Sequence, residues 1–525
     1  MEDRGYRNDP RYIMSIDIGT QSVRAMVFTQ SGDVVATERL LSEPPYSLQL
    51  GWAELPADSV WQNVCTVCQR LRAHMQEKLD RVEACAITAN RDNIIALDRE
   101  GNYLRDWITW VDKRRTPEAL ADLNTLWKGE KRIIRLFAKE LAAIITTRSK
   151  FNWFKYHEPQ TYERAASYLT MSGLVTYKLT GERADSYGMQ AGVLPFNGAK
   201  NEFYTYDFIW QAMGVRRDQL DYRLCGPAEL LGRVSPEAAA LTGLPEGLPI
   251  VASGGDKQCE VLGAGAFSED TAVISYGTMA TISVTSDRYV SDRAFSFYSF
   301  SSSIRGKFYE EFLIDRGYWL VTWFCRQYAL EEDFPSFLQE MNERASRIPP
   351  GSQGLFVYPF WAPHYVLYPE ARGAIMGLTD DHRPEHIYRA ILESVAFSLK
   401  MGFQKIRKKT KRPIRELIVV GGGAESDVAM QLTADIFNVP VQRLSVKEVC
   451  GMGAAIAAGI YAGVYEDERD GVEHMRRVDR VFTPIAENVK LYEEIYSEIY
   501  LKMYKANLPI FRKLNELGKI EVHHG

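Results

Sequence analysis

Charge of one sign, cysteine and long apolar runs are all scarce in this chain, and each scarcity excludes a class of protein. The 525 residues include 63 Lys or Arg and 68 Asp or Glu, so the formal net charge is −5. Nucleic-acid binding usually needs a strong basic field, which this balance does not supply. The 7 Cys are too few and too dispersed for a disulfide framework. No apolar run reaches the roughly 18 residues of a membrane span, and the polar, charged N-terminus is unlike a secretory signal. We therefore expect a cytoplasmic protein with no nucleic-acid or membrane partner.

Several catalytic motifs are missing as well. The sequence contains no G-x-x-x-x-G-K-[ST] phosphate loop, no convincing Rossmann fingerprint and no G-x-S-x-G nucleophile elbow. The 8 His show no metal-binding spacing. Cys65 and Cys68 fall inside a helix predicted over residues 61–79, without the further ligands that a structural zinc site requires. P-loop nucleotide binding, dinucleotide binding, serine hydrolysis and zinc chemistry therefore find no support.

The residues that are present indicate a globular α/β protein. Hydrophobic residues make up 46% of the chain and charged residues 25%, as in ordinary globular proteins. The length predicts more than one domain, most economically two large ones. Apolar patterns over residues 12–20, 22–29 and 34–39 predict a strand meander, followed by the helix over 61–79 and a further strand over 82–88.

A strand–Gly–Thr motif occurs twice in the chain. The sequence IDIGT at 16–20 returns as ISYGT at 274–278, and a strand-like run follows each copy. The second copy lies where a duplicated domain would place it, although coincidence is the alternative. A third glycine turn, GGGA at 421–424, follows the strand predicted over 416–420.

These turns are candidate phosphate-binding loops. Glycine lets the backbone approach an anion and point successive N–H groups at it, and a threonine hydroxyl adds a donor. Each turn taken alone is explained equally well as a tight turn without a ligand.

Two acidic residues stand beside these turns. Asp17 and Asp256 each end a strand-like run next to a glycine. A carboxylate at a strand end is accessible enough to hold Mg²⁺ or to accept a proton. The alternative is a turn-capping Asp, so the functional interpretation depends on both residues lying beside phosphate-type loops.

The motifs taken together resemble those of the FGGY carbohydrate kinases. The segments are DIGTQSVR at 17–24, GDKQ at 255–258, YGT at 276–278, GGGA at 421–424 and the C-terminal signature over 373–393. The resemblance implies an α/β fold of two actin-like, ribonuclease-H-like domains with a nucleotide cleft between them. It also implies that residues 1–258 form the sugar- or polyol-binding side. Residues 259–525 would form the nucleotide-binding side and end in a terminal helix.

The resemblance also assigns the acceptor-binding residues. The segment TANRD at 88–92 is similar to the glycerol kinase branch, in which an Arg and an acidic residue hold the polyol hydroxyls. By that similarity Arg91 and Asp92 would grip the acceptor, Trp110 would lie against its carbon face, and Asp256 and Gln258 would complete the site. Ile145 departs from the family signature, so we expect a pocket wall unlike that of glycerol kinase.

The same resemblance assigns the ATP contacts and the chemistry. Asp256 would be the general base, and Mg²⁺ would lie near Asp17 and Asp256. Arg24 would either stabilise phosphate charge or brace its turn. The residues expected to contact ATP are Gly19, Thr20, Gln21, Arg24, Gly277, Thr278, Gly422, Gly423, Ala424 and Asp427.

The predicted activity is ATP-dependent phosphoryl transfer to a hydroxyl of a sugar or polyol. Two alternatives are an actin-like ATPase, which would lack the acceptor-side residues, and a catalytically idle sugar-binding regulator. Homodimerisation is a family-level expectation. The sequence does not specify which sugar or polyol is the acceptor.

Overall fold

The computed structural model describes residues 10–49, 51–123, 142–190, 192, 194–292, 294–361 and 367–517. The strands are β1 (Tyr12–Ile18), β2 (Ser22–Thr29), β3 (Val34–Leu41), β4 (Glu54–Leu55), β5 (Val82–Ala89), β6 (Ile95–Leu97), β7 (Trp107–Ile108), β8 (Ser167–Leu169), β9 (Ala184–Ser186), β10 (Phe196–Asn197), β11 (Glu202–Phe203), β12 (Arg223–Cys225), β13 (Leu230–Arg233), β14 (Pro249–Gly255), β15 (Thr271–Tyr276), β16 (Ala280–Ser286), β17 (Tyr298–Ser301), β18 (Phe308–Ile314), β19 (Phe356–Tyr358), β20 (Ala374–Met376), β21 (Glu416–Val420), β22 (Val441–Leu444) and β23 (Val478–Phe482).

The helices are α1 (Ser59–Met75), α2 (Lys150–His157), α3 (Pro159–Arg164), α4 (Met171–Thr180), α5 (Asp207–Met213), α6 (Pro236–Thr242), α7 (Asp256–Ala264), α8 (Trp319–Tyr328), α9 (Phe334–Ala345), α10 (Pro384–Thr410), α11 (Asp427–Phe437), α12 (Val449–Tyr461), α13 (Glu468–Met475), α14 (Ala486–Ile495) and α15 (Leu501–Leu517). The predicted helix over 61–79 is α1 together with a 3₁₀ turn over Gln76–Arg81. No helix in these described ranges combines the length and the apolarity that crossing a bilayer demands.

The chain divides into two compact units by its internal contacts. The first contains Met1–Gly265, Phe300–Lys307 and Glu448–Met475, and the second contains Ala266–Ser299, Phe308–Lys447 and Arg476–Gly525. The limits 1–258 and 259–525, with their sugar-side and nucleotide-side roles, stay a prediction. The first unit thus includes two segments from much later in the sequence.

The first unit is built on a sheet with the order β13-β14-β5-β1-β2-β3. Strand β1 pairs antiparallel with β2 and parallel with β5, and β5 pairs parallel with β14. All seven residues of β1 are buried because helices cover both faces of the sheet, which explains its nearly continuous apolar run. Val64 and Leu71 of α1 belong to the core on one face, while Ala454 and Ala458 of α12 pack on the other.

The second unit repeats this topology. The sheet on which it is built has the order β23-β22-β21-β15-β16-β18-β17, and β15 pairs antiparallel with β16 and parallel with β21. The first six of these strands have counterparts in the first sheet, with β15 corresponding to β1, and β17 is an additional edge strand. The motifs IDIGT and ISYGT end β1 and β15, so the duplication expected from them is confirmed at the level of topology. The long helix α10 is largely buried in the core of this unit.

The C-terminal tyrosine stripe packs into the same core. Tyr492, Tyr496 and Tyr500 are buried, and the segment Tyr496–Tyr500 between α14 and α15 is a π-helix. These three residues, spaced four apart, belong to the hydrophobic core of the second unit. Each of the seven Cys is a free thiol, which agrees with the expectation of no disulfide framework.

Candidate active site

Asp17 lies near the C-terminal end of β1, at the centre of the first sheet. The antiparallel register places it opposite Arg24 of β2, and the parallel register places it beside Thr88 of β5. The residue is only 5% exposed. Burial raises the pKa of Asp17 to about 7, Arg24 opposes the rise, and the negative charge of Asp256 adds to it. Near neutral pH this carboxyl therefore changes its charge easily.

Arg24 joins two carboxylates within the first unit. Its Nη1 lies 3.4 Å from Asp17 Oδ2 and 2.8 Å from Glu448 Oε2. Glu448 immediately precedes α12, in one of the two late segments that belong to this unit. The two roles left open for Arg24, stabilising phosphate charge and bracing its turn, both stay predictions beside these ion pairs. No local sequence pattern indicates Glu448, because its partner Arg24 lies hundreds of residues earlier in the chain.

Asp256 is the first residue of α7 and follows β14 directly. It is partly exposed, and the backbone N–H of Lys257 donates to its Oδ1 at 2.8 Å. The Lys257 ammonium pairs with Glu260 at 2.8 Å. Thr88 of β5 lies opposite both Asp17 of β1 and Gly254 of β14, so Asp256 begins its helix two residues beyond the strand position level with Asp17.

The position of α7 is fixed by close packing against α12. A Cβ on Gly453 would lie 1.9 Å from the carbonyl oxygen of Cys259, and one on Gly263 would lie 2.2 Å from that of Val449. The Cys450 thiol also donates to the backbone carbonyl of Asp256 at 3.4 Å. Helix α12 therefore packs backbone against backbone on α7, the helix that begins with Asp256.

The two carboxylates suit a magnesium ion that is shared with phosphates. Among the residues that the structure describes, no group of three or more His, Cys, Asp or Glu could hold a metal by itself. Mg²⁺ in phosphoryl-transfer sites commonly takes one or two protein carboxylates and completes its shell with phosphate oxygens and water. Asp17 and Asp256 fit that pattern, so the donor set is compatible with the predicted metal.

Thr20 occupies the turn between β1 and β2. The Gly19 N–H donates to the carbonyl of Ser22 at 3.0 Å, which closes the turn. Thr20 itself is exposed, and its hydroxyl accepts hydrogen bonds from Asn90 Nδ2 at 3.0 Å and Trp110 Nε1 at 3.1 Å. The backbone carbonyl of Gln21, the next residue of the predicted site, accepts from Ser42.

The predicted acceptor-side residues lie at the ends of the same strands. The Arg91 guanidinium stacks over the ring of Phe300 with its Cζ 4.3 Å from the centroid, and its side-chain stem lies against Gly255. Asp92 has φ +67°, and its Oδ1 pairs with the buried Lys150 ammonium at 2.8 Å. Sequence reasoning did not identify Phe300, because it comes from the other late segment of the first unit.

The Gln258 side chain, predicted as an acceptor contact, makes hydrogen bonds to the protein backbone. It is 1% exposed, its Oε1 accepts from the Gly255 N–H, and its Nε2 donates to the carbonyl of Ser301 at 2.7 Å. Its amide thereby caps α7 and attaches the 300–307 segment. Ile145, the residue that departs from the family signature, is partly exposed at 37%.

The remaining residues predicted to contact ATP belong to the second unit. The carbonyls of Gly277 and Thr278 accept from Tyr318 and Gly317 at 2.9 and 3.0 Å. Gly421 has φ +82°, which favours glycine, and a Cβ there would lie 2.9 Å from the Tyr276 carbonyl oxygen.

The GGGA turn leads into α11. A Cβ at Gly422 would meet nothing within 4 Å, whereas one at Gly423 would clash with Tyr318. Ala424 is buried beside them. Ser426 caps the helix, so the first helical residue is Asp427.

Asp427 is held by two arginines of the same unit. Its Oδ1 lies 2.6 Å from Arg443 Nη1 and its Oδ2 lies 2.5 Å from Arg480 Nη1. Both carboxylate oxygens are therefore already engaged.

Comparison with known proteins identifies the family. The sequence profile described as "FGGY family of carbohydrate kinases, N-terminal domain" matches residues 12–263, and that for the C-terminal domain matches residues 272–462. The chain belongs to the FGGY family of carbohydrate kinases. This FGGY kinase is 28% identical over 524 residues to "Uncharacterized sugar kinase YgcE" of Escherichia coli, covering 98% of this chain and 96% of that protein.

Further relatives have named substrates. The xylulose kinase of Bacillus subtilis is 27% identical over 522 residues, covering 96% of this chain and all of that protein. The fold matches the ligand-bound xylulose kinase of Lactobacillus acidophilus with a TM-score of 0.81 at 20% identity, covering 96% and 100% of the two chains. The protein is thus a carbohydrate kinase, and its general activity is ATP-dependent phosphorylation of a sugar.

Proposed function

We propose that this FGGY kinase transfers the γ-phosphate of ATP to a hydroxyl of a ketose or polyol, with Asp256 as the general base. The observation that carries the proposal is the placement of Asp256. It begins α7, is partly exposed, and follows two residues after Gly254, which lies across Thr88 from the buried Asp17. A base in this position can accept the proton of an attacking hydroxyl.

The remaining residues have complementary roles in the proposal. Gly19, Thr20 and Gln21 in the first unit, and Gly277 and Thr278 in the second, would donate to phosphate oxygens. Mg²⁺, held near Asp17 and Asp256, would neutralise charge on the phosphates. Arg24 would act through its pairing with Asp17.

The nucleoside is assigned to the second unit. Gly422 leaves open space beside the backbone, while Gly423 and Ala424 complete the same turn. Asp427 stays a prediction as a nucleotide contact, because Arg443 and Arg480 hold both its oxygens.

The acceptor is assigned to a surface that combines charge with an indole face. Arg91 and Asp92 would hold hydroxyl groups, while the ring of Trp110 would lie against carbon. Several relatives are named xylulose kinase, so a pentulose is the first acceptor to test. The family-level homodimer stays a prediction.

The test is a panel of ketoses and polyols in an ATP-coupled assay that follows ADP release. We expect one acceptor, or one closely related group, to stimulate ADP release well above the rate without acceptor. ATP consumption independent of every acceptor would instead support an actin-like ATPase. Binding of a sugar without phosphate transfer would support a regulator.

A further inference from the structure

We propose that Asn93, Asn90 and Trp110 form a hydrogen-bonded network that aims the Thr20 hydroxyl proton at the ATP phosphates. The inference rests on the proposed function, because it takes Thr20 as a phosphate donor. It adds Asn93 and Asn90 as positioning residues, and it gives Trp110 a second role besides packing against the acceptor.

Two donors occupy the oxygen of the Thr20 hydroxyl. A hydroxyl oxygen has two lone pairs and one proton. Both lone pairs are used, since Asn90 Nδ2 donates to this oxygen at 3.0 Å and Trp110 Nε1 at 3.1 Å. Within the described ranges no oxygen accepts the Thr20 proton, and the residue is exposed. The proton is therefore left for a ligand acceptor, in a direction set by the two donors.

Asn93 sets the orientation of the Asn90 amide. Asn93 Nδ2 donates to Asn90 Oδ1 at 2.6 Å, so the opposite end of that amide, the Nδ2 group, faces Thr20. Asn93 is 1% exposed and Asn90 is 7% exposed, so water does not compete freely for these groups. The buried pair thus presents a donor, and not an acceptor, to the Thr20 oxygen.

Asn93 also holds the backbone of Trp110. Asn93 Oδ1 accepts from the backbone N–H of Trp110 at 3.0 Å, while the indole Nε1 donates to Thr20. One buried amide therefore fixes both donors to the Thr20 oxygen. An acceptor that packs against the indole would be coupled through this network to the phosphate-binding turn.

The test is a double-mutant cycle on ATP affinity, measured by isothermal titration calorimetry with Mg²⁺ and no sugar. Thr20→Val should weaken ATP binding about tenfold or more, and Thr20→Ser should largely preserve it. Asn90→Ala and Trp110→Phe should each weaken binding roughly three- to tenfold when Thr20 is present. In the Thr20→Val background each should have less than about a twofold effect, because no proton is left to orient.

Trp107→Phe is the matched control. It also removes an indole N–H, but in the unsubstituted protein that N–H donates to the Ala57 carbonyl and not to Thr20. Its effect should be the same in both backgrounds. Equal effects of Asn90→Ala and Trp110→Phe in both backgrounds would overturn the inference, as would unchanged ATP affinity in Thr20→Val. Failure of the proposed function has a different signature, namely no acceptor-dependent ADP release by the unsubstituted enzyme.

Discussion

Asp17 is the side chain whose charge, in the proposed mechanism, would decide whether the site holds Mg²⁺. Its burial raises its pKa to about 7, far above the usual range of an Asp carboxyl, so that its charge depends on the groups around it. Arg24 opposes that rise and Glu448 contributes to it. The charge of Asp17 is therefore set by an ion pair that can be altered from either end.

Substitution of the two members of that pair should shift the pH dependence in opposite directions. If Asp17 must be ionised to act with Mg²⁺, kcat/KM for ATP should decrease as the pH drops below about 7, the pKa of Asp17. Arg24→Met removes the charge that stabilises the carboxylate, so the acid limb should move to higher pH. Glu448→Gln removes a repulsive charge and leaves Asp17 as the charged partner of Arg24. The decrease of kcat/KM on the acid side should therefore begin at lower pH. A shift in the same direction in both variants would contradict this assignment.

At the scale of elements, the crossing of α7 and α12 supports the position of Asp256. The backbones touch at Gly263 and Gly453, and a Cβ on Gly453 would strike the Cys259 carbonyl. Backbone cannot move aside as a flexible side chain can. The two helices therefore depend on glycine at this contact.

Gly453→Ala should lower both the thermal unfolding midpoint and turnover, because α7 must shift to admit the methyl group; the cost of such overpacking is about 1–3 kcal/mol. Gly451→Ala is the matched control on the same helix, since its Cβ would meet the flexible end of Met26. Both substitutions gain the same helix propensity, so this effect cancels in the comparison. Equal midpoints for the two variants, measured by calorimetry, would contradict the account.

Strand β18 carries a buried acid that does not belong to the site. Glu310 is 0% exposed, and burial raises its pKa to about 7. In the unfolded chain a Glu titrates near 4.5, so the folded state favours the protonated form. The stability that this preference gives is complete below about pH 4.5 and is lost as the pH rises through 7.

Glu310→Gln should therefore stabilise the protein at pH 8 and have little effect at pH 5. The amide mimics the protonated carboxyl and can accept the hydrogen bond that Ser286 now donates to Glu310 Oε1 at 2.8 Å. The expected gain at pH 8 is about 3 kcal/mol in the free energy of unfolding. Denaturant titrations at the two pH values measure it, and an equal effect at both would show that Glu310 does not titrate as argued.

At the scale of the whole molecule, local patterns predicted most of the fold. The apolar runs of β1 and β15 and the Gly-Thr turns that follow them were readable, because strands and turns depend on nearby residues. Local patterns do not predict that two late segments, Phe300–Lys307 and Glu448–Met475, belong to the first unit. Such contacts join residues far apart in sequence, and no local propensity encodes them.

The site shows the same division. The sequence predicts Asp17, Thr20 and Asp256 as site residues, since their residue types stand beside strand ends and glycines. It does not predict the partners that orient them: Glu448 reaches Arg24 through tertiary folding, and the Trp110 N–H is directed at Thr20. A sequence pattern indicates which chemistry is present, while the hydrogen bonds that orient it depend on the assembled unit.

The most direct test of the central claim is phosphorus NMR of ATP and the best acceptor with the unsubstituted enzyme and with Asp256→Asn. The account predicts a sugar phosphate ester with the former and at least about a hundredfold slower ester formation with the latter, because the proton acceptor is lost. ATP binding and the unfolding midpoint should be preserved in the variant. Ester formation by Asp256→Asn at nearly the unsubstituted rate would contradict the account.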